Sequence, residues 1–108
     1  MYKIKITNHF TKQLERLVKK NRSLKKNIII ALNNFNKEHS IFIGHNVYKI
    51  RIQGQNKGKS AGYRLYIYAL EIDKLLSPIA VYSKNEKENL SFAEMAYHLE
   101  KAKGEFFD

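Results

Sequence analysis

The sequence predicts an α+β fold: a small antiparallel sheet with an N-terminal helical hairpin and a C-terminal helix, in the order β-α-α-β-β-β-α. Two basic amphipathic segments follow one another near the N-terminus, which indicates the hairpin. Three β-rich segments with short connections come next, and a helix-capping signal precedes the last helical segment. The chain of 108 residues is long enough for one domain, which we predict over residues 1–108.

The N-terminal part supplies the first strand and the two helices of the hairpin. Residues 2–6 (YKIKI) alternate apolar and basic side chains, as a half-buried strand does. Thr7 or Asn8 offers an N-cap for the first helix, which has an apolar stripe of Phe10, Leu14, Leu17 and Val18. The second helix is expected over residues 24–37, and residues 39–46 are expected to form a loop.

The C-terminal part supplies the other strands and the last helix. Three segments are predicted strands: Val47–Gln53 (VYKIRIQ), residues 62–72 (GYRLYIYALEI) and residues 75–84 (LLSPIAVYSK). Pro78 indicates a bulge or an edge, because proline cannot donate to a ladder. Ser91 and Glu94 form an S-x-x-E capping box that begins a helix of about ten residues. We expect an antiparallel meander with the helices packed on one face.

The formal net charge is +10, and the basic residues concentrate in the first two thirds of the chain. Residues 1–70 contain fifteen Lys and Arg against two acidic residues, whereas residues 71–108 contain five Lys against eight acidic residues. This distribution attracts polyanions, most often nucleic acid. An equally good explanation is that the lysines only keep the protein in solution. Cysteine is absent and no apolar run could span a bilayer, which fits a reducing cytoplasm and excludes disulfides and thiolate chemistry.

The segment GQNKGKS at residues 54–60 ends as a nucleotide-binding P-loop does. Its two glycines are separated by three residues instead of four, and a predicted strand follows where a P-loop needs a helix. An NTPase is therefore not expected. The segment joins two strands, and Lys57 and Lys59 either reach a phosphate backbone or simply belong to an ordinary polar loop.

Side chains alternate across a strand, and this alternation gathers a basic face on the predicted sheet. The core face would hold Ile50, Ile52, Leu65, Ile67, Ile79 and Val81. The other face would hold Lys49, Arg51, Arg64, Tyr66, Tyr82 and Lys84. Cations neutralise phosphates and tyrosines stack on unpaired bases, so this face suits RNA, but a polar, solvent-exposed sheet face is an equal alternative.

The same residue types suit one particular reaction, RNA self-cleavage by the 2′-hydroxyl. The reaction passes through a five-coordinate phosphorane with extra negative charge, which fixed guanidinium and ammonium groups stabilise. Tyrosine can transfer protons, and the reaction requires no metal. The four histidines have no metal-ligand spacing, so we expect neither a metal site nor a cofactor.

Together these segments resemble the RelE/ParE superfamily of bacterial toxins, and most closely the HigB-like branch of RelE toxins. The resemblance covers residues 2–103 and is carried by VYKIRI, KGKSAGYRLYIY and VYSKNEKENLS. It implies a RelE-like toxin of a type II toxin–antitoxin module, a metal-independent endoribonuclease that cuts mRNA in the ribosomal A site and so inhibits translation. The implied partners are a cognate antitoxin, the ribosome with its rRNA, and mRNA, and the implied location is the cytoplasm.

The resemblance also implies roles for individual residues. Arg64 matches the arginine that stabilises the phosphorane, and Tyr82 is implied in stacking or proton transfer. The strand pair Lys49 and Arg51 and the last-strand residue Lys84 match basic residues of the family and are implied in catalysis with Arg64 and Tyr82. The loop lysines Lys57 and Lys59 match those of the HigB-like branch and, with Tyr66, are implied in RNA binding.

The chain departs from the family pattern at two places. Leu90 and Phe92 stand where some RelE toxins carry a tyrosine near the scissile phosphate, and Ala61 replaces the second loop glycine. These departures leave open which residues act as the general acid and the general base. Two further hypotheses remain, a ParE-like DNA gyrase inhibitor and a basic RNA-binding module. The cluster of Lys49, Arg51, Arg64 and Lys84 favours the enzyme, because gyrase inhibitors usually lack it.

Overall fold

A computed structural model of the protein describes residues 1–54 and 62–106. The described strands are β1 (Lys3–Ile4), β2 (Ile41–Gly44), β3 (Val47–Gln53), β4 (Gly62–Leu70) and β5 (Leu75–Ser83). The described helices are α1 (Asn8–Val18), α2 (Leu24–Asn33) and α3 (Phe92–Phe106), with a short 3-10 helix at Lys37–His39 between α2 and β2. This confirms the predicted α+β class with its N-terminal hairpin and C-terminal helix. None of the described helices is long and apolar enough to cross a membrane.

The five strands form one mixed sheet in the order β1-β5-β4-β3-β2. β3, β4 and β5 make the predicted antiparallel meander. β1 pairs with β5 in parallel, so the sheet is not purely antiparallel. The expectation of a loop at residues 39–46 was wrong, because β2 pairs with β3 there and the chain turns through His45 and Asn46, both with positive φ.

The helices lie on both faces of the sheet, so the expectation of helices on one face was wrong. The α1–α2 hairpin covers one face with a core that includes Phe10, Leu24, Ile28, Leu65 and Ile67. α3 covers the other face with Met95, Leu99 and Ala102, which pack against Tyr66, Tyr68 and Tyr82. The tyrosine rings make this second face apolar enough to need a cover, although its charged residues suggest an exposed surface.

Side-chain caps set the limits of the hairpin helices. α1 begins as predicted, with the Thr7 hydroxyl oxygen accepting a hydrogen bond from the backbone N–H of Phe10 at 3.1 Å. α2 ends at Asn33, earlier than expected, because asparagine side chains bond backbone groups in its last turn and just beyond it. The Asn34 side chain donates to the Ile30 carbonyl at 2.9 Å. Asn36 then caps the 3-10 helix by accepting from the N–H of Glu38 at 2.8 Å.

β5 contains the bulge that Pro78 indicates. Tyr66 pairs with Ala80 and Ile67 pairs with Pro78, so Ile79 is an extra residue on β5. The Gln13 side chain of α1 donates to the Ile79 carbonyl at 3.0 Å and accepts from the Val81 N–H at 3.1 Å. The bulge turns Ile79 into the α3 core, which corrects its predicted place on the hairpin face.

The capping box before α3 is confirmed. The Ser91 N–H donates to the Glu94 carboxylate at 2.8 Å, and the Glu94 N–H donates to the Ser91 hydroxyl at 3.1 Å. α3 has 15 residues, more than the expected ten or so. Its last turn is held in place because Glu105 accepts hydrogen bonds from the N–H groups of Asn8 and His9 at 2.7 and 3.0 Å. A carboxylate at this helix N-terminus also stabilises the α1 dipole.

Candidate functional site

The register of β3, β4 and β5 brings the predicted basic residues together. Arg51 lies directly opposite Arg64, and Lys49 lies directly opposite Tyr66. Arg64 in turn lies opposite Tyr82 on β5. Residues opposite one another on neighbouring strands share a face of the sheet, so these five side chains lie on the face that α3 covers. We call them the basic cluster, together with Lys84, which follows β5 directly.

The basic cluster has a buried centre and an exposed rim. Tyr66 and Tyr82 are only 2% and 6% exposed, and the side chain of Arg64 is 5% exposed. Lys49 is half-buried, whereas Arg51 and Lys84 are exposed. The structure therefore places two predicted contact groups, the Arg64 guanidinium and the Tyr66 ring, beneath other parts of the chain.

Glu88 is the ion-pair partner of Arg64. Its Oε1 lies 3.3 Å from Nη2 of Arg64, and its side chain is 62% exposed. The hydrogen bond from Arg64 lowers the pKa of Glu88, and the charges of Arg64, Lys84 and Lys49 lower it further. Glu88 is therefore a carboxylate at neutral pH, with its charge directed at the centre of the basic cluster.

The two buried tyrosines are linked through their hydroxyl groups. The Tyr82 hydroxyl lies 3.4 Å from the Tyr66 hydroxyl and 3.5 Å from the Glu88 carbonyl oxygen, so it donates to one of them at a time. The Tyr66 hydroxyl accepts from the N–H of Leu90 at 3.1 Å. Burial raises the pKa of Tyr82, and the hydrogen bond to Tyr66 raises it further, so Tyr82 holds its proton at neutral pH.

The loop lysines Lys57 and Lys59 lie outside the described residues. The pairing of Gln53 with Gly62 shows that this segment connects two antiparallel strands. β4 follows the segment where a P-loop would need a helix, in agreement with the rejection of an NTPase.

Sequence reasoning missed two features of the structure. Glu88 and Asn89 lie in the connection between β5 and α3 and contact Arg64 and Lys49. In the sequence, the acidic residues of this connection indicate only a solvent-exposed turn. His9 Nε2 and His98 Nδ1 lie 2.7 Å apart, although 89 positions separate them in the chain, and no spacing could have indicated this contact. Within residues 1–54 and 62–106, no group of three His, Cys, Asp or Glu side chains gathers as a metal site would require.

The fold and the basic cluster define a class of small α+β proteins that hold cations and tyrosines on one sheet face. A family model described as the RelE toxin of the RelE/RelB toxin–antitoxin system matches residues 6–107. The chain therefore belongs to the RelE family of toxins from toxin–antitoxin systems, and such a system includes a cognate antitoxin partner.

A solved structure supports the same fold. The chain is similar to a double arginine mutant of the Escherichia coli toxin RelE in the free state, with a TM-score of 0.59 and 20% sequence identity. The similarity covers 91% of this chain and 97% of that one. No curated protein matches the chain.

Proposed function

We propose that this chain is a ribosome-dependent mRNA endonuclease of the HigB-like branch, acting as a single toxin domain over residues 1–108. It would cut mRNA in the ribosomal A site and thereby inhibit translation in the cytoplasm, until its antitoxin binds. Membership of the RelE family supports this proposal. One observation within the chain carries it: Arg64 is buried directly opposite Arg51. Like charges directly opposite on neighbouring strands are destabilising, and such local conflicts are expected at functional sites.

In the proposed reaction, the mRNA supplies its own nucleophile. The 2′-hydroxyl loses its proton and attacks the adjacent phosphorus, the bond to the 5′-oxygen breaks, and that oxygen takes up a proton. The products are a 2′,3′-cyclic phosphate and a 5′-hydroxyl end. The Arg64 guanidinium would stabilise the extra charge of the phosphorane, because its planar array of donors matches phosphate oxygens. The reaction as proposed uses no metal or cofactor.

The remaining residues of the basic cluster would bind and position the RNA. The rim cations Lys49, Arg51 and Lys84 would act with Arg64 in catalysis, since they are accessible enough to contact the reacting phosphate, and we assign RNA binding to Lys57 and Lys59. Tyr82 would give a proton to the leaving oxygen; because burial raises its pKa and weakens it as an acid, this role requires the hydroxyl to become accessible first. Tyr66 would contribute to RNA binding once Leu90, whose N–H donates to its hydroxyl, moves away, and until then it contacts the Tyr82 hydroxyl.

Primer extension on a defined mRNA tests this proposal, with the purified protein added to free mRNA and to mRNA on translating ribosomes. We expect cuts only on ribosomes. Arg64→Ala should slow cutting by about 10²–10³-fold, the usual cost of one such donor. Arg64→Lys keeps the charge but loses the planar donors, so it should also cut slowly. Arg22→Ala is the matched control, because it removes the same charge from an exposed site on the hairpin.

Three outcomes would contradict the proposal in different ways. Cuts in free mRNA would indicate a ribonuclease that does not need the ribosome. Equal cutting by the Arg64 variants and the Arg22→Ala control would remove Arg64 from the reaction. Absence of cuts in every sample would favour a gyrase inhibitor or an RNA-binding module, which a DNA supercoiling assay and an RNA-binding assay would then separate.

A further inference from the structure

The basic cluster is closed by three consecutive residues of the same chain, Glu88, Asn89 and Leu90, which we call the cover segment. We propose that the cover segment occupies the phosphate-binding position of the basic cluster, so that RNA binds there only by displacing it. This inference rests on the proposed function for the identity of the polyanion as RNA. It adds to that function a built-in competitor that keeps the free toxin closed.

Each residue of the cover segment binds a different part of the basic cluster. Glu88 pairs with Arg64 at 3.3 Å, and the Asn89 side-chain oxygen accepts a hydrogen bond from the ammonium group of Lys49. The Leu90 N–H donates to the Tyr66 hydroxyl at 3.1 Å. Three neighbouring residues thus engage two cations and a tyrosine on two strands, which is more than an incidental surface ion pair would do.

Glu88 imitates the ligand that the site is proposed to bind. Carboxylate and phosphate both bind guanidinium groups through charge-assisted hydrogen bonds. The Arg64 side chain is 5% exposed and its Nη2 lies 3.3 Å from Glu88 Oε1, so a phosphate that binds Nη2 must take the place of the carboxylate. The Glu88 side chain is itself 62% exposed, so it can leave Arg64 without any rearrangement of the core.

The chain is fixed on both sides of the cover segment, which allows a local opening. On one side, a turn is held to the end of β5, where the Glu86 N–H donates to the Ser83 carbonyl at 2.9 Å. On the other side, the Ser91–Glu94 capping box fixes the start of α3. Movement of Glu88 and Asn89 therefore requires neither the sheet nor α3 to unfold, whereas Leu90 packs against the α3-face core.

Binding of a 2′-O-methyl oligoribonucleotide to the free protein, measured by fluorescence anisotropy, tests the proposal. This probe keeps the phosphates of RNA, but its blocked 2′-oxygen prevents cutting. Glu88→Gln should bind the probe roughly three- to tenfold more tightly than the wild type, because the competing charge is gone. The new amide oxygen can still accept a hydrogen bond from Arg64, so the variant should fold normally.

Glu86→Gln is the matched control. It removes the same charge two positions away, where the Glu86 side chain accepts from the Ser83 N–H and pairs with Arg16 at 3.8 Å. We expect less than a twofold change from it, since an exposed charge away from the site is screened. Equal gains from Glu86→Gln and Glu88→Gln would mean a general charge effect and would overturn the proposal. Weaker binding by Glu88→Gln would overturn it as well.

A second variant, Asn89→Ala, tests the cover segment without changing the charge. It removes the hydrogen bond that holds Lys49, so it should tighten binding of the probe by about twofold. An unchanged affinity would mean that only Glu88 competes with the RNA phosphates. On ribosomes, Glu88→Gln should cut mRNA at least as fast as the wild type. Cutting more than tenfold slower would place Glu88 in proton transfer and overturn the competitor role.

The two proposals fail in distinguishable ways. The anisotropy comparison needs neither ribosomes nor cleavage, so it gives a result even if the wild type cuts no mRNA. If the wild type cuts no mRNA but Glu88→Gln binds the probe more tightly, the basic cluster is a polyanion site that the cover segment occupies, and its function is not mRNA cleavage. If the wild type cuts mRNA on ribosomes but Glu86→Gln and Glu88→Gln bind the probe equally well, the endonuclease proposal stands and the cover segment does not compete with RNA.

Discussion

The two faces of the sheet use different means to bury their side chains. On the hairpin face, the buried residues contributed by β4 and β5 carry no polar side-chain atoms; they include Leu65, Ile67, Leu76 and Val81. On the α3 face, the same strands contribute three tyrosines and the Arg64 guanidinium. The buried side chains that β4 and β5 contribute to the hairpin face therefore pack by apolar contact, whereas those on the α3 face need partners for their polar atoms.

The α3 face obtains those partners from the cover segment and from its own strands. Among the described residues, no buried side-chain nitrogen or oxygen lacks a hydrogen-bond partner. Several of these partners, however, lie on an exposed connection, and Glu88 is the clearest example. Apolar packing on the hairpin face contributes to the stability of the fold, and the opposite face of the same sheet carries the cations.

Leu65→Ala should cause the largest loss, because Leu65 is fully buried at the centre of the hairpin face. We expect the free energy of unfolding to fall by about 2–5 kcal/mol, from lost apolar burial and the cavity left behind. Urea denaturation followed by circular dichroism measures this change. Ile30→Ala is the control, since Ile30 is half exposed on α2 and should cost well under half as much. Equal losses at the two positions would contradict the apolar account of this face.

Tyr66→Phe examines the other face by removing one oxygen and keeping the ring. The change leaves the Leu90 N–H without its acceptor and removes the contact to the Tyr82 hydroxyl. We expect a loss of about 1–2 kcal/mol in the free energy of unfolding, typical of a broken hydrogen bond at a buried site.

The control for this variant is Tyr97→Phe, which removes the same oxygen from a ring exposed on α3 and should be nearly neutral. The same denaturation experiment applies to both proteins. An equally small effect at Tyr66 would show that the polar contacts of the α3 face do not hold the cover segment, and it would remove the distinction between the faces.

Features that depend on residues close in sequence could be predicted, including which side chains of β3 and β4 share a face. Strong alternation in Val47–Gln53 and in β4 fixes which side chains share a face, and the observed register confirms Arg51, Arg64 and Tyr66 on one side. The Thr7 cap and the Ser91–Glu94 box were also predictable, because capping depends on residues close in sequence.

Features that depend on contacts distant in sequence could not be predicted. Pro78 indicated a bulge, but only Gln13 on α1 shows how the bulge is held and why Ile79 turns to the other face. The tyrosines of β4 were expected to meet RNA from an open face, and nothing local indicates that α3 returns to cover them. Glu88 is an ordinary acidic residue in a polar connection, and its importance comes only from the position of Arg64.

The smallest predicted effect concerns pH and the contact between α1 and α3. Burial lowers the pKa of His98 to about 4, and the nearby His9, whose own pKa burial also lowers, contributes to the shift. Glu94 opposes the shift at His98 and Lys87 adds to it. Because the folded state holds its proton less tightly than the unfolded chain, the unfolded chain binds more protons as the pH falls below about 6.5. Stability should therefore fall with decreasing pH in this range.

We expect a loss of about 1 kcal/mol between pH 7 and pH 5, reduced from a larger value because His98 is only half-buried. Denaturation midpoints measured at both pH values give the change. His98→Gln should abolish most of the loss, since glutamine does not titrate, whereas His39→Gln at an exposed site should leave it intact. A pH dependence that survives in His98→Gln would mean that other groups control it. Its disappearance would show that the His98 imidazole, at the contact between α1 and α3, causes the loss of stability at low pH.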